Sequence, residues 1–348
     1  MALTAARTRL YRDGKLELEG FPVADIGEYL ADESVTIWLD LRDPDPGHDD
    51  LAVLSEEFGL HPVAVEAALQ HSRRPKLARY RDYLFLTAYA ARLDTGSGEL
   101  ATSGVAAFIT SQALITIRQD DGLDIDAVVQ RWDETADLAR FGVGYLLYGL
   151  LDYIVDSQSE AVQSLDDCME ELEDRLFDGV PRGLEVQRRV FALRKSLVLL
   201  RRIVFPMSEI VGELMRRDLR LVGDDLMPYY QDVYDEALHA AERTDSLRDL
   251  VTSILEANVT IQGQEGHRLG RDHRRPHVHY RILRDERALP GLRRQSRPGR
   301  LRRRHGRDRA GALPRLQAQG LAVRPSAPAG RRCAWRCARS LARGGVPG

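Results

Sequence analysis

From Val190 to Leu214 apolar residues recur in alternating steps of three and four: Val190, Leu193, Leu197, Leu200, Val204, Met207, Val211 and Leu214. Such a seam belongs to an α-helix that presses one stripe against a partner over several turns. Another seam runs Tyr230, Val233, Ala237, Ala240, Thr244, Leu247, Val251, Ile254, Asn258 and Ile261. Its small and polar members suit close parallel packing in an oligomer; an intramolecular bundle is the alternative left equally open. A further long helix is expected over roughly 143–178, and Pro206 should kink the helix that contains it.

Before residue 140 the period changes. "SVTIWLDLRD" (34–43), "DYLFLTAYAARLD" (82–94) and "GVAAFITSQALITIRQ" (104–119) are β-branched or aromatic runs between turn residues. Helical pattern separates them in "HDDLAVLSEEFGL" and "HPVAVEAALQH", and "LDTGSGEL" (93–100) reads as a loop joining two strands. The expected fold is an α/β N-terminal domain over residues 1–140, followed by a long α-helical stalk over 141–262.

Charge then divides the chain. Residues 265–348 hold 23 Arg, no Lys and 5 acids, a balance of +18, whereas the rest carries −21. An all-arginine end on an acidic body marks a boundary near residue 263, and the Gly, Pro and Arg content of 263–348 predicts disorder. One cysteine in the body, Cys168, argues against a disulfide framework. No stretch approaches the roughly 20 apolar residues of a membrane span, so the chain as written reads as cytoplasmic. No glycine-rich phosphate loop or nucleophile elbow is present, which speaks against an enzyme. The tail's His267, His273, His277, His279, His305, Cys333 and Cys337 fit no tetrahedral zinc spacing. With only Tyr280 and Trp335 available for stacking, the tail would hold nucleic acid nonspecifically, through phosphates.

Four stretches together carry a resemblance: "HPVAVEAALQHSRRPKLARYRDYLFLTAYA" (61–90), "YLLYGLLDYIVDSQSEAVQSLDDCMEELED" (145–174), "LRKSLVLLRRIVFPMSEIV" (193–211) and "MPYYQDVYDEALHAAERTDSLRDLVTSILEANVTIQ" (227–262). In order and spacing they resemble the CorA family of magnesium and cobalt transport proteins over residues 20–262. The resemblance implies a homopentameric cytosolic funnel at the cell membrane, whose last stalk helix continues into a first membrane span. It also implies a Gly-Met-Asn pore loop and a second span, which this sequence lacks. Asp94, in "RLDTG", and Asp232, in "YYQDVYDE", match positions where neighbouring subunits share a regulatory Mg²⁺. By the same resemblance Mg²⁺ or Co²⁺ is the transported ion. On residues alone, Asp94 is a solvated acid in a Gly-rich turn and Asp232 a helix-surface acid.

A shift of reading frame accounts for the break. Read one nucleotide later, codons for Gln264 to Gly291 can encode "KKVTAWGAIIAVPTFITGFYGMNVPYPG"; Arg284 to Arg287, as CGG GAT GAA CGT, contain GGG ATG AAC, which is Gly-Met-Asn. Leu301 to Ala322 can likewise yield an apolar span with a basic end. Arginine codons of the form CGN turn into Val, Ala, Gly, Asp or Glu codons, so an apolar helix read out of register becomes an arginine run. The chain as written is then expected not to transport. The competing reading is a soluble oligomeric metal-sensing or scaffold protein with a basic nucleic-acid-binding tail.

Overall fold

The computed structural model describes residues 6–70, 74–177, 184–216, 219 and 221–271; of 175–177, 184–186 and 255–271 only the backbone is described. Two units are distinguished, Met1–Pro276 and His277–Gly348. The second lies outside the described residues, and so does the expectation of a disordered end beyond Arg271; residues 263–271, included in that expectation, are helical.

Among the described residues seven strands make one sheet: β1 (Arg7–Arg12), β2 (Lys15–Glu19), β3 (Val35–Arg42), β4 (Lys76–Arg79), β5 (Leu84–Asp94), β6 (Glu99–Ile109) and β7 (Ala113–Arg118), in the order β2-β1-β3-β7-β6-β5-β4. β3 and β7 run parallel and the other neighbours antiparallel, so the sheet is mixed. The apolar run 104–119, expected as one strand segment, is the end of β6, a tight turn and all of β7. Thr110 makes the turn by accepting from the backbone N–H groups of Gln112 and Ala113 on its hydroxyl. No Gly or Pro marks that turn, which is why the run looked continuous.

Both faces of the sheet are covered. Ile37, Leu39 and Leu41 of β3 and Ile115 and Ile117 of β7 pack with α2 (Asp49–Glu57) and α3 (Pro62–Leu69), after the short α1 (Ile26–Leu30). Trp38 and Leu114 point to the opposite face, among residues of α4 (Ile125–Glu134) and α5 (Val143–Phe177). Trp38 meets Trp132 edge to face, with ring centroids 5.0 Å apart. Burial on both faces explains why the apolar residues of β3 and β7 do not alternate strictly with polar ones.

The three long helices are α5, α6 (Leu184–Leu214) and α7 (Met227–Arg271). Every member of the Val190–Leu214 seam is buried, and so is every member of the second seam from Tyr230 to Ile254. That burial occurs within one chain. The small residues of the second seam, Ala237, Ala240 and Thr244, let α7 approach α5 and α6 of the same molecule, so the oligomer is not needed to cover them. α6 continues as helix through Pro206. α7 crosses the compositional boundary and continues as helix from Gly263 to Arg271. Among the described residues no helix is long and apolar enough to cross a membrane.

Candidate functional site

Asp94 closes β5 and stands opposite Glu99, the first residue of β6. The turn between them is built on its own side chain: Oδ1 accepts from the N–H of Gly96 at 2.8 Å and of Ser97 at 3.1 Å. Gly98 donates its N–H to the Asp94 carbonyl at 2.7 Å and holds φ at 76°, a conformation glycine adopts without strain. These two N–H donors, Ser97 first, hold the Asp94 carboxyl below the usual carboxylate range, with the charge of Arg189 adding to them. Arg189, on α6, reaches over the turn to the carbonyls of Thr95 and of Gly96, the latter at 2.6 Å. Its Nη2 lies 3.5 Å from Sγ of Cys168 on α5. The turn is thus pinned to the far part of the helical layer, and its carboxylate stays exposed and ionised.

Asp232 lies one turn into α7, exposed, at the other end of that layer. Its charge is felt by Tyr148 and Asp152 of α5 and by Glu236 of α7. Burial raises the Tyr148 phenol, with Asp152 and Asp232 reinforcing it. Burial first, then Asp156, pushes the Asp152 carboxyl up to about 6. Glu236 is raised by burial and by Asp156. Among the described residues one cation answers this acidic face: Arg131 of α4 touches Asp152 and lies 2.5 Å from Asp156. Sequence reasoning named Asp232, with Asp235 and Glu236 as anonymous neighbours, but missed Asp152, Asp156 and Arg131. The i, i+4 spacing of Asp152 and Asp156 on one helix face was the available signal.

The fold does not bring Asp94 and Asp232 together in one chain. Asp94 sits by Cys168 and Asp232 by Tyr148, separated along α5 by about 30 Å at helical rise. Among the described residues, no three His, Cys, Asp or Glu side chains gather as metal ligands. Two exposed carboxylates are suitable oxygen donors for a hydrated divalent ion, each supplying part of a shell that another molecule would complete. Of the tail histidines and cysteines, only the helical backbone at His267 is described; the others lie outside the described residues.

Comparison with known proteins gives these side chains a context. The family described as CorA-like Mg²⁺ transporter protein matches residues 33–268. The chain is 27% identical over 247 residues to the cobalt/magnesium transport protein CorA of Thermotoga maritima, covering 70% of each. Its fold matches the soluble domain of CorA from Methanocaldococcus jannaschii with a TM-score of 0.59 at 23% identity, covering 75% of this chain and 99% of that one. The complete CorA magnesium transporter of the same organism aligns with a TM-score of 0.60 at 22% identity, covering 78% of this chain and 81% of that one. With the family match spanning most of the sheet and all three long helices, the chain belongs to the CorA family of Mg²⁺ transporters.

Proposed function

We propose that residues 1–140 and 141–262 are the sensing domain and stalk of a membrane-bound homopentamer that carries Mg²⁺ or Co²⁺. Asp94 of one copy and Asp232 of the next share a regulatory Mg²⁺. The observation that carries this reading is their placement: two exposed carboxylates about 30 Å apart along α5 can meet at one ion only between copies. Asp94 arrives ionised by its turn, and Asp232 stands on an acidic face with a single arginine opposing it. An ion between copies offsets carboxylate repulsion and favours the closed ring; its loss favours the open one. Limited proteolysis and sedimentation of the purified chain across a Mg²⁺ titration test the pairing. Protection by Mg²⁺ should disappear in both Asp94→Asn and Asp232→Asn. Two variants that respond like the parent would remove the pair from the sensing role.

The arginine-rich residues 263–348 stand, in this reading, where translation in the other frame supplies two spans and the Gly-Met-Asn loop, so the polypeptide as written does not conduct. Genomic sequence across those codons decides it: synonymous codons incompatible with Gly-Met-Asn refute the frame. The +18 charge of the same segment favours a second reading, a soluble metal-sensing or scaffold oligomer that holds nucleic acid nonspecifically. Salt-sensitive retention on a polyanion column, lost on deletion beyond residue 263, would support that one.

A further inference from the structure

The face of α6 that flanks its buried seam borders a groove of about 700 Å³ shared with α7. Five arginines line it: Arg194, Arg201 and Arg202 from α6, Arg248 from α7, and Arg74 from the segment before β4. Among the described residues a single carboxylate, Glu209, lines it with them. Arg201 is held, 3.0 Å from Asp245 and 5.4 Å from the centroid of the Phe205 ring. Among the described residues, the guanidiniums of Arg74, Arg194, Arg202 and Arg248 have no ion-pair partner, and all four residues are exposed. In a body whose net charge is −21, this is a local reversal of sign.

Like charges gathered around one concavity repel each other, and a polyvalent anion relieves that repulsion. The identity of the cations narrows the anion. All five are Arg, whose planar fork matches phosphate oxygens two at a time, where a lysine offers a point charge. The apolar part of the groove narrows it further. Leu197 and Val251 form a buried floor, while Val198 is 54% exposed and Phe205 48%, large side chains left open beside the arginines. From Arg194 to Phe205 the helix rises about 16 Å, with arginines and open apolar side chains alternating along it as Arg194, Val198, Arg202 and Phe205.

We infer that this groove binds a nucleoside triphosphate, its phosphates on Arg194, Arg202 and Arg248 and its base against Phe205 and Val198. The site is separate from Asp94 and Asp232, so it stands or falls independently of the ion-sensing pair.

The test uses the full chain, in which the arginine-rich end supplies a background common to all variants. Photolabelling with 8-azido-ATP, followed by peptide mapping, should place saturable label within 191–209 or 245–254. Arg202→Glu with Arg248→Glu should weaken that component tenfold or more, since each removes charge-assisted bonds to phosphate. Arg81→Glu with Arg188→Glu makes the same charge change outside the groove and should leave it intact. Phe205→Ala should weaken ATP while sparing inorganic triphosphate. Label confined to residues beyond 271, or equal loss in both charge-reversal pairs, overturns the site. Equal affinity of parent and Phe205→Ala for ATP overturns the nucleoside.

Discussion

Replacing Asp152 with asparagine should stabilise the protein at neutral pH and lose that advantage in mild acid. Burial and the neighbouring Asp156 raise the Asp152 carboxyl to about 6 from an ordinary 3.8, although Arg131 touches it. An acid raised in the folded state binds its proton more tightly there than in the unfolded chain. Its contribution to stability is therefore greatest below 3.8 and is lost as pH climbs through about 6. A displacement of about two pKa units corresponds to about 3 kcal/mol as a ceiling. The side chain is 27% exposed, so screening reduces this to about 1–2 kcal/mol at pH 7.5. Asparagine keeps the shape without the charge, and Arg131 retains Asp156 at 2.5 Å, so no buried cation is stranded. Urea denaturation between pH 4.5 and 8 reads the effect: the variant's midpoint should exceed the parent's at pH 7.5, with the gap closing by pH 4.5. A variant weaker than the parent at pH 7.5 would show that the Arg131 bridge outweighs burial, and the reasoning would fail.

Two predictions concern how the sheet is joined to its helical layer. Asp40 and Arg118 are paired by three hydrogen bonds on the α4 and α5 face of the sheet, with side chains 1% and 7% exposed. Asp40→Ala strands the arginine and should cost about 3–5 kcal/mol in urea melts, whereas Asp40→Leu with Arg118→Met should recover most of it. Gly149 faces the Trp132 indole so closely that an added Cβ would lie 2.4 Å from Nε1. Gly149→Ala should therefore displace α4, break the 3.2 Å bond from Trp132 to the Leu146 carbonyl, and cost about 1–3 kcal/mol. Its signature is a changed near-ultraviolet tryptophan spectrum; an unchanged spectrum and melt would contradict the packing argument.

The long helices were legible because their stripes obey one period over many turns, and every α6 residue the spacing picked out is buried, joined by Ser196, Ile203 and Ile210 beside the stripe. The partner of each stripe was not legible. A seam of Ala237, Ala240 and Thr244 states that something approaches closely, without stating whether it comes from the same chain. Edge strands escaped for a different reason. β2 is exposed along its whole length and β4 is at most half-buried, so neither needs an apolar pattern to hold its place. Composition misled at the other end, where the shift to arginine at residue 263 coincides with no helix end. Once a helix is nucleated, each further residue adds one bond, and Gln264, Glu265, Arg268 and Leu269 are good formers that carry α7 to Arg271 across three glycines.

The candidate site was half legible for a reason rooted in its geometry. Asp94 could be placed in a turn from "LDTGSGEL", but the clamp over that turn could not: Arg189 lies 95 positions later and reaches the turn because α6 folds back along α5. Asp232 could be placed on a helix, yet what distinguishes it from Asp235 beside it is the company of Tyr148, Asp152 and Glu236. That company is assembled by α5, whose length also keeps Asp94 away. The helix that creates the acidic face therefore prevents one chain from completing an ion site between these two carboxylates. A second copy can bring its own Asp94 to this Asp232 without changing either local structure, since both carboxylates already face outward. In the proposed reading the ion site is divided into two half-sites, and neither half carries a metal-ligand pattern that a single sequence could display.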